Sequence, residues 1–171
     1  MRIRQAASAD IPEIQAIYAN HVLSGTGTFE EVPPSVEEMA GRFATLTGAG
    51  AIWLVAEDAT GVIGYAYGAR YHTRTAYRFT VEDSVYIRDD RRAGGVGRAL
   101  LAEIITAATA AGYRQMLAVI GDSANAGSIA LHRRAGFAEA GRLIGVGYKF
   151  GRWRDVVLMQ RALGEGDTTQ P

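Results

Sequence analysis

The spacing of apolar residues changes along this chain in a way that marks out its elements. Arg2–Gln5 predicts a short opening strand. Ile11, Ile14, Ile17 and Tyr18 recur every three or four residues, the stripe of an amphipathic helix, with Ser8 as the expected N-cap and an end near Val22. Ser24–Pro34 holds two glycines and two prolines and predicts a loop. Ser35-Val-Glu-Glu38 has the capping-box pattern and opens a second helix to about Thr47. Ala51–Glu57 and Val62–Tyr71 are apolar runs around the turn Asp58–Gly61, a predicted hairpin. After a polar stretch, His72–Arg78, comes a strand over Phe79–Arg88. A glycine-rich loop, Gly94–Gly97, leads into a helix over Arg98–Ala111 that Gly112 ends. Met116–Ile120 is a strand, Ala124–Ala135 a helix closed by Gly136, and Phe137–Val146 and Val156–Arg161 are two last strands around a Gly/aromatic turn. The predicted order is β-α-α-β-β-β-α-β-α-β-β. One domain over residues 1–163 accounts for all of it, and the polar tail, residues 164–171, is expected to be disordered.

Composition narrows the function without naming it. Lysine plus arginine and aspartate plus glutamate number 18 each, so the net charge is zero, and no block of like charge stands out. A nucleic-acid footprint or a polybasic membrane anchor is therefore not expected. There is no cysteine, which removes disulfides, thiolate ligands and a cysteine nucleophile together. None of His21, His72 and His132 stands four residues from another, so no metal site is expected. The amino terminus lacks the apolar core of a signal peptide, and no apolar run approaches the ~20 residues of a membrane span. A cytoplasmic protein is the expectation.

The strongest chemical signal lies where the strand ending near Ile87 feeds the glycine-rich turn. Unpaired N–H groups and the positive end of the helix dipole together bind phosphate, and glycine lets the anion come close. Arg92 and Arg98 add charge. No Gly-Lys-Ser/Thr follows, so this is not a Walker A loop, and Leu100 stands where a dinucleotide fingerprint needs a small residue. Read from Arg92, Ala93, Gly94, Gly95, Val96 and Gly97, the loop has the form Arg-x-x-Gly-x-Gly. Further on, Asn125, Ser128, Leu131, His132, Gly136 and Phe137 follow Asn-x-x-Ser-x-x-Leu-(Tyr/His)-x-x-x-Gly-Phe.

In that order and at that distance, the two motifs resemble those of the GNAT superfamily of N-acetyltransferases. Arg74–Tyr86, the C-terminal Gly147-Tyr-Lys-Phe-Gly-Arg-Trp-Arg-Asp155, Tyr18-Ala-Asn and Thr26–Glu30 resemble the phosphinothricin and methionine sulfone/sulfoximine acetyltransferases within it, over about Met1–Leu163. The resemblance implies an α/β GNAT fold, with a mixed, strongly twisted sheet flanked by helices on both faces, and a homodimer. It implies acetyl-CoA as co-substrate, held at its pyrophosphate by Arg92–Arg98 and along its pantetheine arm by Asn125 and Ser128. It also implies a small amino-acid-like amine as acceptor.

The chemistry then needs a base, because an amine attacks a thioester only when neutral and an α-amine has a pKa near ~8. Alternation puts Glu82 on one face with Thr80, Ser84 and Tyr86, and the family uses the matching glutamate. His132 stands where many of the superfamily have tyrosine; an acid, a second base or a packing residue are all open for it. Backbone N–H groups of Val85, Tyr86 and Ile87 are the candidate oxyanion donors by analogy with the family. Arg74 and Arg78, flanking Tyr77, suit an acceptor carboxylate or phosphinate, with Phe29, Thr80 and Lys149 as further acceptor residues. His21 and His72 are expected to be incidental. A peptide N-terminus or a polyamine is the alternative acceptor, though the arginines of Arg70–Arg78 disfavour a polycation. A non-catalytic acyl-CoA sensor is the reading from another class, against which Glu82 stands.

Overall fold

The computed structural model describes Met1–Pro171. The elements come in the expected order: β1 (Arg2–Gln5), α1 (Ile11–Ser24), α2 (Val36–Gly48), β2 (Ile52–Asp58), β3 (Gly61–Arg70), β4 (Thr80–Ile87), α3 (Val96–Ala110), β5 (Gln115–Gly121), α4 (Ala126–Arg134), β6 (Ala138–Lys149) and β7 (Arg152–Ala162). All seven strands form one sheet in the order β1-β2-β3-β4-β5-β7-β6. Only β4 and β5 run parallel, joined through α3; every other pair is antiparallel, so the sheet is mixed as expected.

Alternation along the strands builds two cores. Leu54, Ala56, Ile63, Ala66, Val81, Met116 and Ala118 point to one face and pack under Leu100, Leu101 and Ile104 of α3. Each such leucine or isoleucine contributes roughly 1.5–3 kcal/mol by leaving water. Trp53, Val55, Val62 and Tyr65 point to the other face and meet Ile11, Ile14, Ile17, Tyr18 and Val22 of α1 and Met39 of α2. Helices thus cover both faces, but α1 and α2 stop at β4. Beyond it, that face of β5 leaves Val119 40% exposed, and β6 exposes Leu143 and Ile144.

Several boundaries differ from expectation for identifiable reasons. Ser8 does not cap α1; it begins a single 3-10 turn, Ser8–Asp10. Asp10 organises the helix start instead, accepting from the Ala7 N–H at 2.7 Å and gripped two-pronged by Arg4 at 2.7 and 2.8 Å. The Ser35 capping box forms: Ser35 Oγ accepts from the Glu38 N–H at 3.1 Å, and the Ser35 N–H donates to Glu38 Oε2 at 2.7 Å. The last hairpin is longer than the apolar pattern suggests, because its polar residues still pair up to the tight turn at Phe150 and Gly151, both at positive φ. At the C-terminal tail, Arg114 donates to the carbonyls of Gly166 at 2.7 Å and Thr169 at 3.1 Å. No helix is long and apolar enough to cross a membrane.

Candidate active site

The site begins where β4 and β5 part. The two strands pair from Thr80↔Gln115 to Asp83↔Ala118 and no further, although β4 runs on to Ile87 and β5 to Gly121. Ligands of open α/β sheets bind outside the carboxyl ends of parallel strands, which is where this split lies. On its β3 side, β4 is fully bonded: the Tyr71 N–H donates to the Thr80 carbonyl and the Arg88 N–H to that of Ile63. Alternation between those two bonds turns the N–H groups of Glu82, Ser84 and Tyr86 toward β3 and those of Val85 and Ile87 toward the split. Tyr86 is therefore no backbone donor to a group lying there, whereas Val85 and Ile87 are. The Tyr86 ring packs edge-on against Tyr18 and His21 at 5.1 and 5.3 Å. His21, expected to be incidental, has a place: its Nε2–H donates to the Ile87 carbonyl at 2.9 Å, on the open side of the strand.

At the mouth of the split stands the glycine-rich turn. Ala93 and Gly95 both take left-handed backbone, with φ 62° and 83°, and α3 starts directly behind them. None of the six backbone N–H groups from Ala93 through Gly94, Gly95, Val96 and Gly97 to Arg98 finds an acceptor in the chain; the first helical bond is Ala99 N–H to Gly95 at 3.0 Å. The turn from Arg92 to Gly95 is exposed, as is Arg98, while Val96 is buried as the anchor of the helix. Arg92 pairs with Asp89 at 2.5 Å, both half-exposed, an arrangement of little strength. Six unpaired donors at the positive end of a helix of 15 residues make a site for a polyanion such as a pyrophosphate.

Across the split, Asn125 caps α4: its Oδ1 accepts from the Ser128 N–H at 3.2 Å. This leaves its Nδ2 for other work. His132, on the next turn of α4, is 4% exposed. Its Nδ1 meets the Ser128 carbonyl at 2.8 Å and its Nε2 meets Asp83 Oδ2 at 3.0 Å. Both nitrogens face acceptors, an arrangement that favours the doubly protonated imidazole over the neutral one. Burial alone would lower the pKa of His132, but the hydrogen bond and charge of Asp83 outweigh it, and the net shift is upward. Asp83 was not singled out from the sequence. One clue was available: it is the polar residue in the alternating apolar set Val81, Val85, Ile87, so it needed a partner across the core.

Glu82 lies on the opposite face from Asp83, half-buried, with Thr80, Ser84 and Tyr86 as expected. Burial first and the neighbouring Asp83 charge second push its pKa up, which makes it a better proton acceptor near neutral pH. On β5 its register partner is Leu117, and the exposed Val119 follows on the same face. Phe29 approaches from the Thr26–Glu30 loop, against Gly121 and Gly147. Arg74, Tyr77 and Arg78 sit on the exposed β3–β4 connection, where Arg78 lies over the Phe79 ring at 4.5 Å and Tyr77 stands edge-on to Tyr71. Lys149, expected among the acceptor residues, is 1% exposed and donates to the Thr28 carbonyl at 2.8 Å.

A parallel pair that parts beside a donor-rich helix start, with a carboxylate on the split strand, can hold a polyanionic ligand next to a proton acceptor. The sequence matches the acetyltransferase (GNAT) domain over residues 3–158. The chain belongs to that family and is an acetyltransferase. It is 52% identical over 169 residues, 99% of this chain and 86% of the relative, to a phosphinothricin N-acetyltransferase of Alcaligenes faecalis. It is 45% identical over 159 residues, 92% of each chain, to an L-methionine sulfoximine/L-methionine sulfone acetyltransferase of Pseudomonas aeruginosa. Among solved structures, a GNAT phosphinothricin acetyltransferase from Sinorhizobium meliloti, in complex with AcCoA, superposes with a TM-score of 0.96 at 51% identity, covering 99% of this chain and 92% of that one.

Proposed function

We propose that the protein transfers an acetyl group from acetyl-CoA to the α-amine of a small amino-acid-like acceptor of the phosphinothricin or methionine sulfoximine type. The observation that carries the cofactor half is the run of unpaired N–H groups from Ala93 to Arg98 beside the β4–β5 split. These donors would hold the pyrophosphate, with Asn125 Nδ2 and Ser128 beside the pantetheine arm. The relatives named above supply the acceptor class.

Each residue then has a chemical task. Glu82 accepts the ammonium proton, directly or through a water, so that the amine reaches the thioester neutral. The N–H groups of Val85 and Ile87 stabilise the negative charge that develops on the acetyl oxygen. Asp83 favours the protonated form of His132, and the burial of His132 favours the packing role over that of a free acid. Arg74 and Arg78, with Tyr77 and Thr80, meet the acid group of the acceptor. The exposed Val119 of β5 and Leu143 and Ile144 of β6 support a homodimer, to be checked by light scattering.

The acceptor assignment is tested by following CoA release with phosphinothricin, methionine sulfoximine, methionine sulfone, common amino acids and a peptide with a free N-terminus. Turnover is expected with the first group; preference for the peptide would replace this reading with protein N-terminal acetylation.

A further inference from the structure

Lys149 ends β6 in a place that does not suit a cation waiting for substrate. Its ammonium donates to the Thr28 carbonyl and stands 5.0 Å from the centre of the Phe150 ring, with the Glu30 and Glu31 carboxylates adding attraction. Burying an ammonium is costly unless it is paired, and here its hydrogen bond goes to the backbone of a loop 121 residues away in sequence.

That loop is the one carrying Phe29, and it lies in a seat shaped by two glycines. A Cβ at Gly147 would come within 2.2–2.9 Å of three atoms of the Phe29 ring; one at Gly121 would stand 2.5 Å from the Thr26 carbonyl oxygen and 3.1 Å from Phe29 Cε1. On the far side, the Tyr18 hydroxyl donates to Glu30 Oε1 at 2.9 Å and lies 2.9 Å from Thr28 Oγ1, and Arg42 grips Glu30 at 2.6 and 3.1 Å. At Gly27 the loop comes against the Asn125 amide, 3.5 Å from where a Cβ would be. Gly121 shares its face with Leu117, the partner of Glu82, so the loop closes the end of the split on the face of the proposed base.

The geometry points to Lys149 as a positioning residue: it latches the Thr26–Glu30 loop so that the Phe29 ring forms a wall of the acceptor site, and it does not itself grip the acceptor's acid group. This rests on the acetyl-transfer reading for the wall's purpose but not for the latch. Hydrogen exchange of the loop amides and steady-state kinetics test the two parts separately. In Lys149→Met, which keeps the stem and removes the ammonium, the amides of residues 27–30 are expected to exchange about tenfold faster or more, the worth of one charge-assisted hydrogen bond. The acceptor KM rises by a similar factor, kcat and the acetyl-CoA KM hold within about twofold, and the KM rise disappears in a Phe29→Ala background. Unchanged exchange overturns the latch, whatever the activity. An equal KM rise with and without Phe29 that vanishes for an acceptor amide marks a direct clamp and overturns it too. A wild type that acetylates no amino acid refutes the functional reading, while the exchange result still decides the latch. If Lys149→Met fails to fold, Lys149→Gln carries the same measurements.

Discussion

Gly95→Val perturbs the proposed pyrophosphate site at the point where the backbone leaves no alternative. Gly95 has φ 83° and ψ −1°, left-handed, and nothing lies within 4 Å of the position a Cβ would take. The cost is therefore one of conformation rather than collision. Left-handed backbone costs a residue with a Cβ roughly 1–2 kcal/mol, and a β-branched one sits at the upper end. At about 2–4 °C per kcal/mol for a domain of this size, Tm should fall by some 2–8 °C and the fold should survive. If the valine instead relaxes to negative φ, the N–H groups of positions 95 and 96 swing away from the mouth of the split. Losing even one hydrogen bond to a charged phosphate weakens binding by roughly 1.5–3 kcal/mol, or about ten- to a hundredfold in Kd. Calorimetric titration with acetyl-CoA measures this, and Ala93→Gly is the control: it relieves an existing left-handed alanine and should bind at least as tightly as wild type. A Gly95→Val protein that binds acetyl-CoA with unchanged Kd refutes the assignment of the loop.

Other consequences follow from the same geometry. Glu82→Gln should lower kcat/KM by ~10²–10⁴ near neutral pH, with acetyl-CoA affinity intact and the loss shrinking as pH rises and the amine deprotonates unaided; a flat, wild-type-like pH profile identifies the wrong base. Because the Glu82 pKa is raised, the acid limb of the wild-type profile should fall above the ordinary carboxylate value of ~4.3; a limb at or below that value counts against the environment described. His132→Leu leaves Asp83 buried without its partner and should cost about 3–5 kcal/mol in denaturant unfolding. Since the folded His132 pKa lies above the unfolded ~6.5, its ion-pair contribution is complete below that value and is lost as pH rises through the folded pKa. A wild type no more pH-sensitive in Tm across that window than the variant speaks against the ion pair. Arg74→Ala should raise the acceptor KM and leave that of acetyl-CoA nearly unchanged; equal effects on both would place Arg74 outside the acceptor site.

How far the sequence could be read depends on the range of the forces involved. The element order was legible because core-facing positions impose periods of 3.6 and 2 residues locally, as in Ile11–Tyr18 and along β4. The glycine-rich turn was legible because φ > 0 and close approach restrict residue choice within a few positions. What escaped was set by distant partners. Ser8 looked like a cap, but Asp10 precedes the helix instead, held by Arg4, which Glu57 also binds, and by the Ala7 N–H. His132 carried the family's motif, yet its role turns on Asp83, 49 residues away. The burial of Lys149 was not legible, since nothing in its own segment shows that the Thr28 carbonyl lies across from it. Boundaries slipped for a related reason: Arg152–Asp155 has Trp153 as its one apolar residue and no alternation, but hairpin pairing of Arg152, Trp153 and Arg154 extends β7 through it.

The central claim is that acetyl-CoA bound at Ala93–Arg98 is discharged onto an amino-acid amine. The direct measurement is CoA release from acetyl-CoA with and without methionine sulfoximine or phosphinothricin, in wild type and Gly95→Val, with the acetylated product identified by mass. Acceptor-dependent release that saturates with acceptor, yields the N-acetyl amino acid and falls about tenfold or more in Gly95→Val at limiting acetyl-CoA is the predicted result. Tight acetyl-CoA binding with no acceptor-dependent release for any amino acid would contradict it and leave an acyl-CoA-binding protein in place of the enzyme.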